Sequence, residues 1–94
     1  MNLRRTRPGE PSPEMVDAVI DGYVAWREHA NAVAWAYGRW NRSAPAERES
    51  AYAEYVAALD REAGAAARYA WTIGRVLAHW ADAQPGFTPV DRAA

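Results

Sequence analysis

The stretch Val16 to Trp40, VDAVIDGYVAWREHANAVAWAYGRW, decides the fold. Its residues Val16, Val19, Tyr23, Trp26, Ala30, Val33, Tyr37 and Trp40 recur every three then four positions. That spacing gathers side chains along one side of a helix. Tyr52 to Trp80 repeats the pattern with Tyr52, Val56, Leu59, Ala63, Ala66, Ala70, Ile73, Leu77 and Trp80. The fold class read from these stripes is all-α: two amphipathic helices, each needing a surface to cover its apolar side.

Ser12-Pro13-Glu14 places a capping hydroxyl, a proline at the first helical position and an acid in the first turn, so helix 1 is predicted from Pro13 to about Asn41. Asn41-Arg42-Ser43-Ala44-Pro45 is a polar break followed by a second proline start, with Glu47 and Glu49 near the new N-terminus. Helix 2 is predicted from about Pro45 to Ala83, ahead of Gln84-Pro85-Gly86. A connection this short makes the helices antiparallel neighbours. The organisation is then a disordered basic arm over 1–11, a helical hairpin over 12–84 and a flexible tail over 85–94. In this register Tyr23 and Trp26 face the alanine-rich segment 62–67, which makes Ala66 a position where added bulk should be among the most damaging.

A chain of 94 residues is one small domain, near the size below which a single core needs help. With no cysteine, neither a disulfide nor a thiolate metal site can provide it. The net charge of −1 argues against a dedicated polyanion binder, and every basic residue is Arg. No apolar run is long enough to span a bilayer, and residues 1–13 lack the apolar segment of a signal peptide, which reads as a cytoplasmic protein.

Some apolar surface is left over after the two stripes are paired. Helix 2 is the longer, so Val76, Leu77 and Trp80 extend past the start of helix 1, while Trp35 and Trp71 fall off the stripes. Such surplus marks an interface. The expected remedy is homodimerisation into a four-helix bundle, or docking of another helical protein, through Trp35, Trp71, Gly74, Leu77 and Trp80. Asp17, Asp21 and Glu28 project from helix 1, and Arg61, Arg68 and Arg75 form a heptad-spaced ridge on helix 2. Within one hairpin these point apart, whereas between two hairpins they can pair. Arg27 and Glu62 lie at matching heights beside the stripes and are expected to form a semi-buried ion pair.

No catalytic, cofactor-binding or metal-binding constellation appears. Di-iron bundles need Glu-x-x-His on two helices, but neither His29 nor His79 has a Glu three residues earlier, and both read as surface histidines. Gly22, Gly38, Gly64 and Gly74 are isolated within helical patterns and form no phosphate loop. Arg4, Arg5 and Arg7 together with the arginine ridge offer contacts to phosphates, yet no recognition-helix motif accompanies them.

Three resemblances can be stated. Val16-Asp17-Ala18-Val19-Ile20-Asp21 with Trp26-Arg27-Glu28 and Arg48 resembles the start of the small all-helical chorismate mutases. That resemblance implies a dicarboxylate site with a central lysine on the first helix, where this lysine-free chain offers only Arg39. The hairpin architecture is similar to the secreted WXG100 proteins, but Tyr37-Gly38-Arg39-Trp40 reverses their Trp-x-Gly order and no Tyr near the end of helix 2 has an acid four positions on. Tyr23-Val24-Ala25-Trp26-Arg27-Glu28, Ala36-Tyr37-Gly38-Arg39-Trp40 and Ala57-Ala58-Leu59-Asp60-Arg61-Glu62-Ala63 look like motifs of small uncharacterised Ala/Arg/Trp-rich helical proteins of high-GC bacteria, which implies no activity.

Overall fold

In a computed structural model, which describes residues 10–83, the chain forms two long helices that pack along one another as an antiparallel hairpin. Helix α1 spans Pro13–Arg42 and helix α2 spans Arg48–Ala83, with a single 3-10 turn at Pro45–Glu47 leading into α2. Residues 1–9 of the expected arm, residue 84 and the expected tail at 85–94 lie outside the described residues, whereas Glu10 and Pro11 of the arm are described and half-buried.

Each boundary has a local cause. Ser12 is extended and its Oγ accepts a 3.1 Å hydrogen bond from the Met15 amide, satisfying a donor that the first turn leaves without a partner. At the far end Ser43 leaves the helical conformation, and both its amide and its hydroxyl donate to the Trp40 carbonyl, at 3.2 and 2.7 Å. The chain then stays extended through Ala44, and Pro45, whose fixed φ suits a helix start, begins the turn into α2.

The helices meet along a seam repeating every three then four residues, and it lies one residue away from much of the expected stripe. On α1 the seam is Met15, Val19, Gly22, Trp26, His29, Val33, Ala36 and Trp40, all buried or half-buried. On α2 it is Ala51, Tyr55, Ala58, Glu62, Ala65, Tyr69, Thr72 and Val76. The expected α2 stripe, Tyr52 to Trp80, therefore runs along the flank of the contact: Tyr52, Leu59, Leu77 and Trp80 are exposed, while Ala51, Ala58 and Ala65 are buried. Ala66 is only half-buried, whereas its neighbour Ala65 is buried at 2% exposure, as is Ala58. His29, expected on the surface, sits half-buried in the seam, while His79 is exposed.

Size explains the shift. Trp26 hydrogen-bonds Glu62 and stacks on Tyr69, with ring centroids 5.8 Å apart, so it straddles Ala65, one turn from both. Trp40 stacks in the same way on Tyr55, at 5.5 Å, beside Ala51. A Cβ placed on Gly22 would lie 3.3 Å from the Tyr69 ring and 3.6 Å from its Cα, so glycine is what lets the backbones approach there. The register these contacts set puts large against small at several levels: Gly22 with Tyr69, Trp26 with Ala65, Val33 with Ala58, Trp40 with Ala51. Alanine on one helix makes room for a ring on the other.

Candidate functional site

Over the described residues two helices meet in a seam and enclose no interior. Among the described residues the buried apolar ones are four alanines, and no large side chain is fully buried. Writing the seam as heptad positions a and d, the e positions of both helices flank one side and the g positions the other, as antiparallel helix pairs require. Ring contacts of Tyr23 with Tyr69, Tyr37 with Tyr55 and Trp40 with Tyr52 tie the helices on the e side. The Arg39–Glu54 salt bridge ties them on the g side.

The e side is apolar and open. Val16, Ile20, Tyr23 and Tyr37 from α1 and Tyr52, Leu59, Leu77 and Trp80 from α2 share it, eight of the eleven large apolar side chains exposed among the described residues. The g side is charged, with Arg61, Arg68 and Arg75 on α2 opposite Ala18, Ala25 and Ala32 of α1. Apolar surplus is thus concentrated on one face of a flat two-helix layer.

The residues singled out from the sequence fall on both sides. Leu77, 61% exposed, and Trp80, 43% exposed, belong to the apolar face. Trp35 and Trp71, at 66% and 64%, project from the outer edge of the charged side, where the Arg75 guanidinium lies 5.1 Å from the Trp71 ring centre. Gly74 points away from both faces, and a Cβ there would meet nothing within 4 Å. Glu62 is half-buried and accepts a 2.7 Å hydrogen bond from Trp26 Nε1, while Arg27 is exposed on the apolar side. The Tyr23, Tyr37 and Tyr52 rings of the apolar face appear in the sequence stripes, yet as core residues; that they line a surface is visible only once the seam is fixed.

Arg39, the residue a mutase-like site would need facing inward, is exposed and held by Glu54. An open cleft of about 450 Å³ at the turn, lined by Arg39, Arg42, Ser43, Glu47 and Ser50, mixes both signs of charge, and its Ser43 hydroxyl is engaged with a backbone carbonyl. Among the described residues no three metal-ligating side chains converge, and no helix is long and apolar enough to cross a membrane. Compared with known proteins, the chain matches no family model, no curated protein and no solved structure.

Proposed function

We propose that this chain is a protein-interaction module whose apolar face docks helices, in the first instance those of a second copy, to close a four-helix bundle. The observation that carries the reading is the one-sided exposure of Val16, Ile20, Tyr23, Tyr37, Tyr52, Leu59, Leu77 and Trp80. If each shows roughly half of a ~150–250 Å² side chain, the face presents about 700 Å², above the few hundred Å² usual for a monomer's patches. That approaches the ~800 Å² per partner of a standard interface. The heptad pattern points the same way, because apolar a, d and e positions together describe a helix covered on two sides. Face-to-face pairing about a two-fold axis parallel to the helices would set α1 of each copy against α2 of the other, the antiparallel order of a four-helix bundle.

Sedimentation equilibrium of the wild-type chain and of Leu59→Glu/Leu77→Glu tests the proposal. The wild type should show a dimer mass in high salt, and the double variant should lose it there while keeping its helicity, since both side chains are exposed in the lone hairpin. A wild-type monomer at high concentration, or a double variant with the same salt-resistant mass, would refute it.

A further inference from the structure

The charge pattern of the opposite face points to a second docking surface for another copy of the same chain, built from two complementary ridges. Arg61, Arg68 and Arg75 follow one another at seven-residue intervals along α2, and Glu14, Asp21 and Glu28 do so along α1; all six are exposed. Seven residues of helix rise about 10.5 Å, so the two ridges share one pitch. Both ridges border the charged side of the hairpin, the acids at the outer edge of α1 and the arginines beside the seam.

Within one hairpin the ridges leave each other unpaired. None of the six takes part in a salt bridge, the pair between Arg39 and Glu54 being the one among the described residues. The neighbours of the three arginines three and four positions along α2 include no carboxylate, and Ala18, Ala25 and Ala32 face them across the seam. Three arginines therefore stand in a row over a smooth alanine floor, with their natural counterparts on the far edge of the same face.

A second copy placed on this face about a two-fold axis parallel to the helices supplies those counterparts. Such an axis leaves heights unchanged and lays α1 of the copy over α2. From the register that sets Trp26 against Ala65, Glu14, Asp21 and Glu28 of the copy come within about 3 Å in height of Arg75, Arg68 and Arg61. All three pairs match at once, and the symmetry repeats them on the other half. Trp35 of the copy arrives level with Ala57, so an indole meets a small residue there as well. Exposed ion pairs add little energy each, so their role is to select orientation and partner, with Trp35 and Trp71 as the apolar anchors. A helix of this chain fits better than a nucleic acid, because the ridge's match in pitch and height is to an acidic ridge on the same face.

This surface rests on charge and stands apart from the apolar-face dimer, so the test is run with that face blocked. Leu59→Glu/Leu77→Glu protein should be a dimer at about 20 mM salt and a monomer at about 500 mM, where the screening length falls from roughly 20 to 4 Å. In this background Arg61→Glu/Arg68→Glu and Asp21→Arg/Glu28→Arg should each be monomeric at low salt and fully helical. Their equimolar mixture should recover the dimer mass, because each now carries what the other needs. Glu14 and Arg75 are left in place, since the first supports the start of α1 and the second rests on Trp71. A monomer at low salt, a mass unchanged by the reversals, or two helical variants that fail to combine would overturn the inference. So would binding of a single-stranded oligonucleotide that Arg61→Glu/Arg68→Glu abolishes without any change in mass. A wild-type dimer indifferent to salt would leave the apolar face standing and remove this one; a dimer lost in salt but kept in Leu59→Glu/Leu77→Glu would do the reverse.

Discussion

The one-residue difference between Ala65 and Ala66 offers a sharp test of the packing. Ala65→Leu adds three carbons at a position 2% exposed, where Trp26 bridges Glu62 and Tyr69 directly opposite. Were there room, those carbons would stabilise by about 2.4 kcal/mol at ~0.8 kcal/mol each. There is none, because the indole already fills the space that alanine vacates. The helices must separate or the ring must leave its stacked position, and overpacking of this kind costs about 1–3 kcal/mol. For a domain this small, ~1 kcal/mol moves the melting temperature by about 4–8 °C, so Ala65→Leu should melt about 10 °C below the wild type. With the apolar face blocked by Leu59→Glu/Leu77→Glu, Ala66→Leu places the same carbons on the half-buried flank and should change stability by no more than about 0.5 kcal/mol. Thermal unfolding followed by far-UV circular dichroism, at matched concentrations, reads both. If Ala66→Leu proves the more damaging, the seam runs along the Tyr52 to Trp80 stripe after all and the packing derived above is wrong.

Further outcomes concern the glycines and the Trp26–Glu62 hydrogen bond across the seam. Gly74→Ala should raise the melting temperature, by about 1 kcal/mol of helix propensity, since its Cβ enters open space; a drop would show that something already lies against Gly74. Gly22→Ala gains the same propensity but must displace the Tyr69 ring by a few tenths of an ångström. It should therefore fall short of Gly74→Ala in stability and alter the near-UV circular dichroism of the Trp26–Tyr69 stack; equal melting temperatures would contradict the close approach. Glu62→Leu removes the acceptor of the Trp26 indole N–H and should cost about 1 kcal/mol, whereas Glu62→Gln retains an acceptor and should cost less. The Trp26 indole proton resonance should move in the leucine variant, and its staying put would mean that the hydrogen bond is not populated in solution.

How far the fold was legible follows from particular residues. Ser12, Pro13 and the Asn41-to-Pro45 break act locally, through a cap, a fixed φ and a missing amide: α1 spans Pro13–Arg42, and a 3-10 turn at Pro45–Glu47 leads into α2 at Arg48. The antiparallel pairing follows from the shortness of the connection. The contact stripe was only half readable. Val19, Trp26, Val33 and Trp40 belong to the seam, but on α2 the large apolar residues drew attention away from the alanines one position earlier. Hydropathy weights size, whereas two helices at close approach reward its absence on one side. His29 shows the same blind spot: a polar residue in an apolar pattern reads as outward until the register brings it level with Glu62.

The sequence by itself determined that there would be two helices, where the first starts and where the chain turns back, and that they would fold back on one another, because those outcomes depend on backbone chemistry within a few residues. Only the tertiary structure decided which of two adjacent stripes would touch. That choice depends on the fit of Trp26 over Ala65 and of Tyr69 against Gly22, between residues far apart in the chain. By turning the alanines inward it also decided that the rings of α2's own stripe would face outward, and so gave the hairpin an apolar face and a charged one.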